Sequence, residues 1–106
     1  MDIADWRKQI DAIDRKLVEL LNERAKVAHE IGRLKKQKEM PIYEPDRERI
    51  VFDNVRELNP GPLPHRDLVA IFERIMDMMR KIQQEEIAPE PSMKSDATEA
   101  DQDAED

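Results

Sequence analysis

The sequence predicts an all-α protein with three helices per chain, one very long N-terminal helix and two shorter ones, assembled as an intertwined helical homodimer. Three observations point there. Apolar residues recur at alternating steps of three and four along the first third of the chain, as in helices packed in a bundle or coiled coil. Two breaker clusters, "PIYEP" at 41–45 and "NPGPLP" at 59–64, divide the rest of the chain into helix-length pieces. No segment shows strand-like alternation.

The first helix is expected from Ile3 to Lys38. This stretch has no proline and one glycine, Gly32, and is rich in Leu, Ala, Glu, Lys, Arg and Gln, which favour helix. Its apolar seam is Ile3, Trp6, Ile10, Ile13, Leu17, Leu20, Val27, Ile31 and Leu34, with Arg24 in the one missing position. A helix of this length spans about 54 Å. A compact globule of this size has a radius of gyration of roughly 12 Å. The seam is therefore too long to be buried within one chain, and pairing with a second copy is expected.

Pro45 suits the first position of a second helix, where its missing N–H costs nothing. Asp46 and Glu48 follow in the first turn, where the helix dipole favours acids. Ile50, Val51, Val55 and Leu58 form its apolar face. A third helix is expected from about Arg66 to Glu86, with Leu68, Ile71, Phe72, Ile75, Met76, Met79 and Ile82 on one face. Residues 1–87 are expected to form one small domain. Residues 88–106 contain almost no large apolar side chain and read as a disordered tail.

The formal charge of −7 is concentrated in that tail, whose seven acids and one base give −6 and leave −1 for the rest. A nearly neutral domain with few aromatic residues argues against nucleic acid as a partner. The absence of cysteine rules out disulfides and thiolate metal sites, and the two distant histidines, His29 and His65, make a histidine metal site unexpected. Neither a membrane span nor a signal peptide is visible, so a cytoplasmic location is expected. No cofactor is implied.

Several cations occupy places that cost free energy. Arg24 interrupts the apolar seam, and an unpaired buried guanidinium is expensive. It is either a snorkelling or acid-paired structural residue, or a ligand for an anion. Lys35 lies eleven residues later, three turns on and within about 20° of the same face. Arg47 enters the first turn of the second helix against the dipole. Glu44, Asp46 or Glu48 could compensate it as weak surface partners. Alternatively, Arg47 and nearby backbone N–H groups serve a bound anion, with Glu48 accepting from a hydroxyl. Arg49 faces elsewhere and is expected in solvent. Gln83 follows Ile82 near the end of the third helix and would supply a neutral N–H donor. Arg7 lies about 25 Å from Arg24 along the first helix, so it could reach only a pocket of a second, antiparallel copy. No nucleophile–base pair occurs among these residues, and Met79 and its neighbours read as core.

The stretches "IDAIDRKLVELLNERAKVAHEIGRLK", "PIYEPDRE", "NPGPL" and "IFERIMDMMRKIQ" together resemble the all-helical (AroQ-class) chorismate mutases. The likeness is greatest to mutase domains found alone or fused at the N-terminus of prephenate dehydratases. It implies conversion of chorismate to prephenate by a Claisen rearrangement within one molecule, without metal or covalent catalysis. It further implies that Arg24 pairs with a substrate carboxylate and that Arg7 reaches a carboxylate in the opposite protomer. By the same resemblance, Lys35 touches a carboxylate and the ether oxygen, and Gln83 donates to that oxygen. Arg47 matches the pocket arginine of the second helix, Glu48 the acceptor of the substrate hydroxyl, and Glu44 an acidic position near it. Some relatives carry Glu at the place of Gln83, which must be protonated to donate; Gln83 implies activity without that acid requirement. Some carry a small hydroxyl residue in place of Met79.

Two other readings share these features. One is an isochorismate–pyruvate lyase of the same fold. The other is a non-catalytic helical dimer acting as a regulatory partner, which explains the seam but not Arg24 within it. Partner enzymes of the aromatic pathway would have to supply any dehydratase, dehydrogenase or synthase activity.

Overall fold

The computed structural model describes residues 1–85; the expected tail, 88–106, and the boundary at residue 87 lie outside the described residues. The described chain consists of three helices, α1 (Ile3–Gln37), α2 (Pro45–Leu58) and α3 (His65–Gln83). Among the described residues there is no strand.

Local chemistry sets the boundaries. Asp2 and Asp5 form a reciprocal capping box: each carboxylate accepts from the other's backbone N–H, at 3.0 and 3.1 Å. At the far end, the N–H groups of Glu39 and Met40 donate to the carbonyls of Lys36 and Lys35, at 3.2 and 2.8 Å. This is a Schellman turn, with Glu39 at φ 55° where glycine is usual. The helix therefore stops at Gln37, one residue before the expected Lys38. Pro45 opens α2 as expected. Asn59 closes it and organises the next turn, its side chain accepting from the Gly61 N–H and donating to the Leu63 carbonyl. Pro64 caps α3, which begins at His65, one residue before the expected start. It ends at Gln83, not near Glu86, because Gln84 and Glu85 form a turn with Glu85 at φ 62°.

α3 packs against both α1 and α2 and is the hub of the chain. Its core residues Ile75, Met79 and Ile82 meet Ala28 of α1, with Ala25, Phe72 and Met78 around them. Val51 and Val55 are the buried positions of α2. The surface that α1 gives to α3 is built from small residues and one lysine: Ala25, Ala28, Gly32 and Lys35. It is not the large apolar seam. From Ile3 through Leu34 the seam residues stay exposed, Trp6 at 54% and Leu17 at 52%. The described chain is correspondingly extended, 53 × 38 × 17 Å with a radius of gyration of 17.0 Å.

Gly32 lies where α1 and α3 come closest. A Cβ placed there would fall 2.8 Å from the Gln83 Cα and 3.0 Å from its carbonyl oxygen. The obstacle is backbone, so it cannot swing aside. An alanine in a helix interior would otherwise gain about 1 kcal/mol over glycine. Here the overlap costs about 1–3 kcal/mol. Gly32→Ala is therefore expected to lower the melting temperature in a thermal unfolding scan, where an unobstructed glycine would raise it.

Candidate active site

The site is assembled around Lys35, which is 7% exposed although charged. A buried ammonium needs an acceptor for every proton. Lys35 Nζ donates to the Ile42 carbonyl at 2.9 Å and to Gln83 Oε1 at 3.0 Å, and meets Glu44 Oε1 at 2.7 Å. Three donors meet three acceptors, one from the α1–α2 connection, one from the residue preceding α2 and one from the end of α3. The lysine can only donate, so it requires the oxygen of the Gln83 amide and turns the amide nitrogen away as a free donor. Of the three acceptors, Glu44 is the replaceable one, because its side chain is 40% exposed.

A cleft of about 460 Å³ opens beside this cluster. Arg24 and Lys35 reach it from α1, Glu44 and Arg47 from the start of α2, and Met79 and Gln83 from α3. Arg24 has no carboxylate partner among the described residues; its NH2 group donates to the Met76 sulfur at 3.4 Å, a weak acceptor. Burial is the larger reason that its pKa is lowered, and the charge of Arg47 is the second. Arg47 is exposed and lines the same cleft. The three acids beside it in sequence are engaged elsewhere: Glu44 with Lys35, Asp46 with Arg49 at 3.1 Å, and Glu48 with Arg80 at 2.9 Å. Two arginines thus face one cleft whose acid, Glu44, is bound to Lys35, and among the described residues neither arginine is paired with a carboxylate.

Six of the seven expected residues, Arg24, Lys35, Glu44, Arg47, Glu48 and Gln83, are brought together at this cleft or the small cavity adjoining it. Arg7 is not: it lies exposed in the second turn of α1, far along the helix from Arg24. Arg49 lies exposed at the surface, where Asp46 pairs with it. The structure adds three groups that spacing alone did not mark. They are the Ile42 carbonyl, the Met76 sulfur and Arg80, whose guanidinium binds Glu48 and lies 5.2 Å from the Tyr43 ring centroid. Arg80 carried a readable signal: it directly follows Met79, a cation on the border of an apolar helix face.

Among the described residues, no group of three His, Asp or Glu side chains could hold a metal ion. None of the helices is long and apolar enough to cross a membrane.

The sequence profile of a family described as chorismate mutase type II matches residues 6–84. The chain belongs to this family. A bifunctional chorismate mutase/prephenate dehydratase of Aquifex aeolicus is 40% identical over 79 residues, covering 71% of this chain and 22% of that protein. The chain thus spans about a fifth of the length of such bifunctional relatives. A chorismate mutase of Methanocaldococcus jannaschii is 39% identical over 56 residues, 53% of this chain and 57% of that one. Among solved structures, a chorismate mutase of Thermus thermophilus superposes with a TM-score of 0.76 at 32% identity, covering 77% of this chain and 93% of that chain. The Helicobacter pylori enzyme in complex with prephenate gives 0.72 at 29% identity, over 78% and 90% of the two chains. Family and fold therefore agree with the all-helical reading of the sequence.

The lowered pKa of Arg24 marks a charge that folding disfavours. A guanidinium remains protonated throughout the usable pH range, so this penalty is present at every such pH. Arg24→Met keeps the length of the side chain and removes the charge. It is expected to raise the melting temperature of the ligand-free protein, and to do so less at high salt, where repulsion from exposed Arg47 is already screened.

Proposed function

We propose that this chain is a chorismate mutase, acting in the cytoplasm as a homodimer to convert chorismate to prephenate in phenylalanine and tyrosine biosynthesis. The observation that carries this reading is the cleft where Arg24, Arg47 and Lys35 converge beside the Gln83 amide, its one acid, Glu44, bound to Lys35 and neither arginine paired with a carboxylate among the described residues. Such a cleft suits a substrate that brings two negative charges of its own. The family and the mutase relatives support the same assignment.

The reaction breaks one C–O bond and forms one C–C bond within a single molecule, so no proton, nucleophile or co-reactant is needed. The protein has two tasks. It must hold the enolpyruvyl group over the ring in a chair, and it must stabilise negative charge on the ether oxygen as its bond breaks. Arg24 binds one carboxylate with its planar fork. Arg7 of a second copy reaches the other. Lys35 exchanges Glu44 for substrate oxygen while Ile42 and Gln83 keep it in place. The Gln83 nitrogen, turned outward by Lys35, donates to the ether oxygen. Arg47 adds positive potential over the cleft, and Glu48 accepts from the ring hydroxyl.

The homodimer is supported by the exposed seam of α1. A row of large apolar side chains about 50 Å long is unlike the surface of a monomer. Pairing of two such helices would bury it and carry Arg7 toward the cleft of the other copy.

The decisive assay is chorismate consumption by purified protein, with product identification. Prephenate is the expected product. Release of pyruvate, above all from isochorismate, would assign the lyase chemistry instead, and a folded dimer without turnover would favour the regulatory module. Lys35→Met should reduce kcat by about 10²- to 10³-fold, the usual effect of removing one preorganised donor from a developing oxyanion.

The shared site has its own test. Arg7→Ala and Lys35→Ala dimers are each expected to be nearly inactive. Mixing them should restore activity, because a heterodimer contains one site with both residues intact. No recovery despite confirmed subunit exchange would place Arg7 outside the site.

A further inference from the structure

Arg80 lines the small cavity beside the cleft but has no role in the proposed reaction, yet it makes the most elaborate polar contacts of α3. Its Nε donates to Glu48 Oε2 at 2.9 Å and its NH2 to Glu48 Oε1 at 3.4 Å. The same NH2 meets Asp77 Oδ1 at 3.0 Å, one turn back on its own helix. The guanidinium face lies 5.2 Å from the Tyr43 ring centroid, within cation–π range. Hydrogen bonding to Glu48 is the largest cause of its raised pKa. Neither partner is fully in water: the Glu48 side chain is 16% exposed and that of Arg80 is 29%.

We propose that Arg80 is a positioning residue for the reaction, holding the Glu48 carboxylate in the orientation that receives the substrate hydroxyl. This rests on the reading of Glu48 as the hydroxyl acceptor. The geometry supports a fixed but unsaturated acceptor. The two contacts take one lone pair on each oxygen and leave another on each. A carboxylate held through both oxygens cannot rotate about its last bond as a surface glutamate does. Lys35 is different, because all of its protons are already engaged and it must give up a partner to receive substrate. Arg80 and Glu48 can receive substrate without rearrangement.

Tyr43 extends the device. It lies in the α1–α2 connection, between Ile42, whose carbonyl accepts from Lys35, and Glu44, whose carboxylate pairs with it. Packing of Arg80 on the Tyr43 ring therefore ties α3 to the segment that carries the acceptors of Lys35. One arginine connects the hydroxyl end of the site to the loop around its ammonium.

The test is a mutant cycle read as kcat/KM for chorismate, with thermal stability measured on every variant. Glu48→Gln, Arg80→Met and the double variant are compared. Arg80→Met is expected to lower kcat/KM by roughly tenfold or more, in the range of hydrogen bonds to a charged group. In the Glu48→Gln background the same change should have little further effect. Arg80→Lys, which keeps the charge but not the fork, should recover part of the loss. Tyr43→Leu changes only an exposed ring and should cost about two- to fivefold alone, and nothing once Arg80 is Met. This arm holds even if Arg80→Met folds poorly, since Tyr43→Leu can be compared in an Arg80→Gln background, which also lacks the cation and where it should likewise cost nothing.

Multiplying losses of Arg80→Met and Glu48→Gln would overturn the proposal. So would an Arg80→Met protein that melts earlier but keeps full kcat/KM, which would make Arg80 merely structural. If Glu48→Gln itself leaves kcat/KM unchanged, the hydroxyl-acceptor reading falls and this inference falls with it. If Glu48→Gln is severe and Arg80→Met is not, only the inference fails.

Discussion

The organisation of this chain depends on the burial of the Lys35 ammonium. A charge withdrawn from water is tolerable only when its protons are matched, and here the three matching groups come from the α1–α2 connection and from the end of α3. The Ile42 carbonyl requires the α1–α2 connection to turn back over α1, which the Schellman turn at Glu39 and Met40 achieves. Glu44 brings the start of α2 to the same point. Gln83 brings the end of α3, and Gly32 is the residue that lets its backbone approach. The loop geometry, the helix approach and the orientation of the Gln83 amide are therefore one linked arrangement.

Around that satisfied centre, the rest of the cleft is left incomplete. Arg24 is half-buried against a thioether, and Arg47 faces the same space while nearby acids bind other cations. A protein optimised only for stability would place an acid between the two arginines. On the proposed function, leaving them unmatched stores unfavourable electrostatic free energy that a dianionic substrate would relieve, a trade of stability for binding common at functional sites. In the proposed reaction, preorganised charge would also avoid reorganisation as the ether oxygen becomes negative.

The two faces of α1 divide these duties along one helix. The face of small residues, Ala25, Ala28 and Gly32, allows α3 to lie close and leaves Lys35 between them. The face of large residues stays outside the chain and is suited to a second copy. The extended shape follows from this division: α3 covers only one face of the long helix, so the chain does not close around it.

Much of this was legible before any coordinates. The helix count, the breaks at Pro41–Pro45 and Asn59–Pro64, and the start of α2 at Pro45 follow from local rules, because proline, capping and periodicity act over a few residues. The awkward positions of Arg24 and Arg47 were legible too, since each violates a local preference that packing must offset. Tertiary structure decided the rest. That Glu44 belongs to Lys35 and Glu48 to Arg80, leaving Arg47 without an acid partner among the described residues, depends on contacts between different elements. Several acids near Arg47 were equally eligible as partners, and the positions of Lys35 on α1, Arg49 on α2 and Arg80 on α3 select among them. Likewise, Gly32 is a lone exception in a helical stretch until the Gln83 backbone is placed against it. The sequence by itself determined which elements form and which charges sit against a local preference; the tertiary structure decided which charges meet, because pairing depends on distance in space and periodicity reports only distance along the chain.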